Sequence, residues 1–171
     1  ESIWDVFCRK PGTIFGGNLP NDNSGTLRYV QIRHAGRTIA PNAELNCLTL
    51  GGVGAGTTLE YIQCHNGTDD AFEWFGGTVN AKHLVATGND DDNLDMDFGF
   101  SGRIQYVYVR TDSQVDTADG RCVESDNATS TGNQNALPRT QPRIANLTCV
   151  GPQGFEAMRL RRGSAGNYFN S

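Results

Sequence analysis

Apolar residues recur along this chain in a fixed order: an apolar residue, two spacers, a second apolar residue, one spacer and a third apolar residue. Successive copies of this motif begin 22 residues apart at Leu59 and Ala81, and 23 residues apart at Ala81 and Ile104. The pattern therefore indicates a repeat of about 22 residues. The copies are Leu27/Val30/Ile32, Leu59/Ile62/Cys64, Ala81/Leu84/Ala86, Ile104/Val107/Val109 and Ile144/Leu147/Cys149.

A second motif lies between these copies, an apolar pair at positions i and i+2 followed by glycine. Such period-2 pairs predict short strands, and the Gly, Asn and Asp residues between them predict tight turns. A weaker copy near Cys122 lacks the glycine. The clear copies are Leu48/Leu50/Gly52, Phe72/Trp74/Gly76, Leu94/Met96/Gly99 and Met158/Leu160/Gly163.

Short strands of this kind cannot bury an apolar face alone, but stacked repeats place equivalent residues in shared interior columns. We therefore predict an all-β fold, a right-handed parallel β-helix of about five rungs with about 22 residues per rung. Residues 1–171 form one domain, with an N-terminal entry or cap segment at 1–24 and a polar loop insertion at 112–141. A β-sandwich would lack a fixed period with two sub-motifs, and the strand and Asn column of a leucine-rich repeat are absent.

The repeat resembles that of the parallel β-helix repeat family, whose units carry both sub-motifs. The segments NDNSGTLRYVQIRHAG, ELNCLTLGGVGAGTTLEYIQCHNG and DDAFEWFGGTVNAKHLVATG are also similar to a group of secreted β-helix proteins of unassigned role. The resemblance covers residues 14–171. It implies the fold and a secreted location, and it implies little about activity.

Charge and hydropathy restrict the classes of partner. The net charge is −5, without a basic face, so we expect no nucleic-acid partner. No run of 18 apolar residues occurs, so we expect no membrane span.

Stacking makes side-chain columns predictable, because equivalent residues in adjacent rungs lie about 4.8 Å apart. One outward column should contain Arg28, Glu60 and Lys82 with alternating charge. A neighbouring column should form an aromatic stack. That stack is most simply structural, but exposed aromatic stacks also bind sugars, so its tyrosines are candidate glycan contacts. The stack contains Tyr29, Tyr61, His83 and Tyr106.

Aspartates also fall into columns, in the turns before the second motif. Asp69 stacks with Asp91 and Asp70 stacks with Asp92, with Asp119 as a candidate third layer. Like charges at this spacing repel each other, and a divalent cation would reverse that sign. Carboxylates and turn carbonyls suit Ca²⁺, so these residues are candidate calcium ligands. The alternative is that they are turn formers that point into solvent.

The acidic strand that follows offers candidate catalytic residues. We expect Asp95 and Asp97 to point outward, near Asp91. Outward carboxylates serve as acid, base or metal ligand in polysaccharide hydrolases and lyases built on β-helices. Charge compensation by Arg159 and Arg161 explains the same carboxylates without catalysis, and Arg103 and Arg110 are the loose candidates for the base of a lyase.

Five cysteines occur without CxxC spacing. Cys64 and Cys149 share an interior column three rungs apart, about 14 Å by strand spacing, which is too far for a disulfide; both are predicted to be small core residues. The pair that we predict is Cys8–Cys47. N-glycosylation sequons begin at Asn66, Asn127 and Asn146.

We expect a secreted, extracellular or cell-surface module without enzymatic activity, acting as a matrix or filament building block. Its partners would be other copies of itself, joined end to end, or further rungs, and glycans on its outer faces. Ca²⁺ is the candidate cofactor. The alternative is a polysaccharide lyase or glycoside hydrolase domain that uses Asp91, Asp95 and Asp97.

Overall fold

The computed structural model describes residues 14–39, 44–112, 120–128 and 133–171. Its regular elements are eleven strands in two parallel sheets. The long sheet contains, in spatial order, β1 (Thr26–Arg33), β3 (Thr58–His65), β5 (Asn80–Thr87), β7 (Arg103–Arg110), β9 (Arg143–Val150) and β11 (Asn167–Phe169). The short sheet contains β2 (Leu48–Gly51), β4 (Phe72–Phe75), β6 (Leu94–Asp97), β8 (Val123–Asp126) and β10 (Met158–Arg161). Among the described residues, no helix is long and apolar enough to cross a membrane.

Each strand pairs with the equivalent strand one repeat away, so the chain alternates between the two sheets as it advances. Leu59 of β3, for example, lies opposite Leu27 of β1 and Ala81 of β5. The apolar columns of both sheets meet in one core, whose largest fully buried side chains include Trp74 and Phe72. The prediction of an all-β parallel β-helix is confirmed.

The spacing of the first motif follows from a bend in each long strand. Tyr29, Tyr61, His83, Tyr106 and Asn146 all have φ between 55° and 61°. A left-handed residue turns the chain, so the residue before it and the residue itself both lie outside the coil while the next one returns to the core. This bend explains why two spacers separate the first two apolar residues and only one separates the next two.

The loop predicted at 112–141 is interrupted by a strand. Strand β8 lies inside that range, pairs with β6 and β10, and is fully buried. The prediction of a continuous loop was wrong because only Val123 supplies an apolar inward side chain. The other inward residue is Ser125, whose hydroxyl lies 2.6 Å from that of Ser164.

The predicted cysteine chemistry was also wrong. Cys47 is bonded to Cys64 and Cys122 to Cys149, each with a Cα–Cα distance of 6.1 Å. Each bond joins the residue before a short strand to a residue of the following long strand, across the coil interior. The prediction compared cysteines along one column and overlooked pairing across a rung. Cys8 lies outside the described residues, but its proposed partner Cys47 is already bonded.

Candidate functional site

Carboxylates cover the outer face of the short sheet and the turns that precede it. Two outward columns carry them, because alternate residues of each short strand point away from the core. In one column Glu73, Asp95, Glu124 and Arg159 lie opposite one another in successive strands. We call the whole carboxylate set the acidic face. It consists of Asp69, Asp70, Glu73, Asp91, Asp92, Asp95, Asp97, Glu124 and Asp126.

The second outward column runs from Phe75 to Asp97, Asp126 and Arg161. The inward residues of the same strands, such as Trp74 and Met96, are fully buried. Burial of these apolar side chains fixes the register, because a slip of one residue would turn the carboxylates into the core. The core therefore determines which carboxylates meet on the acidic face.

Arginines compensate one end of the acidic face. Arg161 binds both Glu124 and Asp126, and Arg162 also contacts Asp126 at 2.5 Å. Arg121 is itself buried and lies 3.5 Å from both Asp92 and Glu124. The expectation that arginines further along the columns offset the carboxylates is therefore confirmed for this end.

The other end holds carboxylates packed against carboxylates. Oxygen atoms of Asp70, Glu73 and Asp95 lie within 4.8 Å of one another. Asp70 and Glu73 are only 6% and 7% exposed. Burial first, and then repulsion from neighbouring carboxylates, raises the pKa of all three carboxyls well above the usual range. The main repelling neighbour is Asp95 for Asp70, and Asp97 for the other two. Asn46 donates a hydrogen bond to Glu73, which partly offsets this effect.

The aspartates of the preceding turns continue this end. Asp69, Asp70 and Asp91 again bring carboxylate oxygens within 4.8 Å of one another, so the predicted aspartate columns are present. The backbone N–H of Asp92 donates to Asp70 Oδ1 at 3.0 Å. Burial and the neighbouring Asp91 raise the pKa of Asp69 to about 6. Burial and Glu124 raise the pKa of Asp92 to about 8 despite the nearby Arg121.

Asp97 lies at the boundary between the two ends and is half-buried. Burial, followed by repulsion from Asp126 and Glu124, raises its pKa to about 7, while Arg162 and Arg161 oppose the rise. A carboxyl group with this pKa exchanges its proton near neutral pH, as an acid or base catalyst must. Asp95 precedes it on the same outer face and is half-buried as well.

The crowded end also fits a divalent cation. Asp95 Oδ1 is inaccessible to solvent and has no hydrogen-bond partner among the residues that the structure describes. A buried anionic oxygen without a partner is costly, and a bound ion would supply one. The donors would be carboxylate oxygens of Asp70, Glu73 and Asp95, or of Asp69, Asp70 and Asp91, which suits a hard ion such as Ca²⁺.

Most of the predicted acidic residues meet here. Asp69, Asp70, Asp91 and Asp92 occupy the turns, and Asp95 and Asp97 occupy β6. Asp119 lies outside the described residues.

Three acidic residues of this face were missed as site residues, namely Glu73, Glu124 and Asp126. Glu73 lies one period of 22 residues before Asp95, in the same column, and the other two lay in the segment interpreted as loop. Arg103 and Arg110, the candidate bases, belong to β7 of the long sheet, and Arg110 pairs with Asp112 at 3.1 Å.

The aromatic column of the long sheet forms as predicted. Tyr29 stacks on Tyr61 at 4.8 Å, Tyr61 on His83 at 4.3 Å, and His83 on Tyr106 at 5.0 Å, with interplanar angles of 13°, 5° and 14°. The rings therefore cover each other's faces, and their edges point outward. A sugar would have to bind these edges or the end faces, so glycan contact by Tyr29, Tyr61 and Tyr106 stays a prediction.

The three sequons differ in environment. Asn66 is exposed. Asn127 is 2% exposed, and its amide nitrogen donates to the backbone oxygens of Gln134 and Ala136. In the folded chain the buried amide of Asn127 therefore holds the Gln134–Ala136 segment in place, contrary to its prediction as a glycosylation site. Asn146 is half-buried and accepts a hydrogen bond from Gln105.

Comparison with known proteins agrees with this architecture. The model of a family described as a pectate-lyase-like β-helix domain matches residues 10–171. No curated protein and no solved structure gives a significant match to the chain.

Proposed function

This chain belongs to the pectate-lyase-like β-helix family, and from the acidic face we propose that it is a secreted glycoside hydrolase domain. The observation that carries the proposal is the pair Asp95 and Asp97, two half-buried carboxyls on one face of β6 with raised pKa values. Perturbed carboxyls that cluster on an outer face are typical of catalytic sites. The proposal departs from the expectation of a module without enzymatic activity.

The two carboxyls have unequal roles. The pKa of Asp95 is raised well above its usual range, which suits this group to the role of the acid that donates a proton to the glycosidic oxygen. Asp97, with a pKa of about 7, accepts a proton from the attacking water. Burial, followed by repulsion from Asp97 and from Glu73 of the adjacent strand, raises the pKa of Asp95.

The spacing favours an inverting reaction. Asp95 and Asp97 are two residues apart on one strand, so their Cα atoms lie roughly 6.6 Å apart, and parallel side chains would hold their carboxyl groups at a similar separation. Inverting enzymes separate their two carboxyl groups by about 6.5–9.5 Å, which leaves room for water, whereas retaining enzymes use about 5–5.5 Å. The first product would therefore have the opposite anomeric configuration to the substrate.

The arginines support hydrolysis over elimination. A lyase needs a base that removes a carbon-bound proton. Arg161 is bound to Glu124 and Asp126, and these carboxylates raise the pKa of its guanidinium even though burial lowers it. An arginine held in its charged form is a poor base.

Secretion is supported by the disulfides. Bonds such as Cys47–Cys64 and Cys122–Cys149 persist in oxidising compartments and are rare in the cytosol. An extracellular location suits an enzyme that meets polysaccharides.

The test is release of reducing ends from a panel of neutral and acidic polysaccharides by the full chain. Asp95→Asn and Asp97→Asn should each lower the rate by about 10²–10⁴-fold, while Glu60→Gln on the long sheet should leave it unchanged. Proton NMR of the first product should show inversion. Absence of cleavage across the panel, or equal rates for all three variants, would refute the proposal.

A second candidate function is a calcium-stabilised scaffold without catalysis. The observation that favours it is the burial of Asp70 and Glu73, which places two donors beneath the surface, where they would hold an ion and meet no substrate. In that case Ca²⁺ would raise the melting temperature, and the unmodified chain would cleave no polysaccharide of the panel. Solution scattering would show whether copies of the chain associate end to end.

A further inference from the structure

A second surface adjoins the acidic face, where the short strands end. The turns after four of the five short strands contain a left-handed residue at an equivalent position: Gly52 after β2, Gly76 after β4, Phe98 after β6 and Arg162 after β10. The backbone N–H groups of Gly52 and Gly76 donate to the carbonyls of Phe75 and Asp97. Stacked turns therefore form a continuous edge next to the carboxylates.

A groove runs along the early turns of that edge, where glycines allow neighbouring backbone segments to approach closely. Later turns carry the side chains of Phe98 and Arg162 at the same position, but Gly52 and Gly76 carry none. A Cβ atom at Gly76 would lie only 3.0 Å from the carbonyl oxygen of Phe98, and φ there is 67°. The groove has a volume of about 790 Å³, which is within the size range of ligand sites.

Aromatic rings flank the groove. Phe75 forms its inner wall, with ring centroids 6.2 Å from Phe15 and 6.1 Å from Phe98. Phe15 is 44% exposed and Phe98 is 37% exposed. Phe75 is also the residue opposite Asp97 in the parallel pair of β4 and β6, so the groove and the reactive carboxyls share one column.

The polar lining of the groove carries no positive charge among the described residues. It includes Asp22, the hydroxyl groups of Thr78 and Ser101, and Asn18. Apolar rings and hydroxyl groups suit the faces and edges of pyranose rings. A uronate chain would bring carboxylates toward the acidic face and Asp22, without a lysine or arginine in the described lining to bind them.

From this juxtaposition we propose that the groove of Phe15, Phe75 and Phe98 binds an uncharged pyranosyl polysaccharide, whose chain continues across Asp97 on the acidic face. This inference rests on the proposed function, and it adds the class of substrate and the path of the chain. Continuity between the groove and the reactive carboxyls supports this occupant. A neutral substrate also agrees with hydrolysis, because it lacks the carboxylate beside the carbon-bound proton that elimination requires.

The test measures binding with the Asp97→Asn chain, so that cleavage does not interfere. Isothermal titration with neutral gluco-, xylo- and mannohexaose should give binding, and oligogalacturonate should bind at least about tenfold more weakly. Phe15→Ala and Phe98→Ala should each weaken binding of the neutral ligand about tenfold, the cost of losing one buried aromatic contact. Tyr108→Ala, an exposed aromatic of the long sheet, is the matched control.

The two proposals fail separately. Stronger binding of oligogalacturonate, no binding of any neutral hexaose, or unchanged affinity in both phenylalanine variants would overturn the groove as the neutral subsite. If the groove proposal fails in this way, loss of polysaccharide cleavage in the Asp95→Asn variant would still support the hydrolase proposal. If a neutral hexaose binds but the unmodified chain cleaves no polysaccharide, the groove proposal stands and the hydrolase proposal is refuted. Circular dichroism of each variant shows whether it has folded.

Discussion

Asp95 and Glu124 lie opposite each other in adjacent parallel strands, and their surroundings are unequal. Glu124 contacts Arg161 and lies 3.5 Å from Arg121, whereas repulsion from Asp97 and Glu73 adds to the burial of Asp95. One strand spacing thus separates a carboxylate paired with arginines from one whose pKa is raised mainly by burial and by other carboxylates. This gradient of charge across the acidic face determines how stability should respond to pH, ions and substitutions.

We predict that the metal-free protein is more stable at pH 5 than at pH 8. Folding raises the pKa of Asp69 to about 6, Asp97 to about 7 and Asp92 to about 8, from 3.8. The folded state therefore holds more protons than the unfolded state between about pH 4 and pH 8. The free energy of unfolding then falls as the pH rises through this range.

Urea unfolding in the presence of a chelator checks this. Asp97→Asn should reduce the difference between the two pH values, because the amide does not titrate. Asp112→Asn, outside the acidic face, is the control. Greater stability at pH 8 than at pH 5 would contradict the prediction.

We predict that Ca²⁺ stabilises the protein at pH 7–8. An ion that binds only the folded state contributes about 2.7 kcal/mol at one hundred times its Kd, or roughly 5–10 °C in Tm for a chain of this size. Asp70→Asn should abolish most of the shift, because Asp70 belongs to both carboxylate groups that could hold the ion. Asp112→Asn should retain it. No shift in thermal unfolding at millimolar Ca²⁺ would exclude the calcium site.

We predict that Arg161→Met destabilises the fold by about 1–3 kcal/mol. Removal of one partner of a fully buried ion pair costs about 3–5 kcal/mol, and Arg161 is partly exposed while Asp126 is buried. Arg110→Met is the matched control, since its pair with Asp112 is exposed on both sides and should contribute under about 0.5 kcal/mol. Chemical denaturation gives the free energy of unfolding of both variants. Equal losses would show that the burial of Asp126 does not strengthen its pair with Arg161.

The interior of the fold could be predicted from the sequence because every rung of the stack needs apolar side chains at equivalent inward positions. Leu27, Leu59 and Ala81 occupy one column as predicted. Strand β8 was missed because Ser125, which faces inward, satisfies its hydroxyl with Ser164. A polar residue that finds its partner inside the core leaves no apolar signal.

The acidic face was harder to predict than the core. The column of Asp70 and Asp92 followed from the period, but the burial of Glu73 did not, because outward positions on a strand are usually solvated. Its burial depends on neighbours such as Asn46, which donates a hydrogen bond to it. Such contacts come from segments without a repeat, and periodicity carries no information about them.

We predict that a third disulfide can be introduced between Ala71 and Ala86. Ala86 lies opposite Cys64 in the parallel pair of β3 and β5, and Ala71 immediately precedes β4 as Cys47 precedes β2. Stacking therefore gives Ala71 and Ala86 the geometry of the Cys47–Cys64 bond, with its Cα–Cα distance of 6.1 Å. Both alanines are fully buried.

The double variant Ala71→Cys with Ala86→Cys should form the bond on oxidative folding, which mass spectrometry of peptides would detect. Its closed loop is short, so the expected gain is at most about 3 kcal/mol, less any strain from the added sulfur atoms. The single variants, which cannot cross-link within the rung, are the controls for packing alone. Two free thiols in the folded double variant would show that the rungs are not equivalent at this position, and the stacking argument for the disulfide columns would then fail.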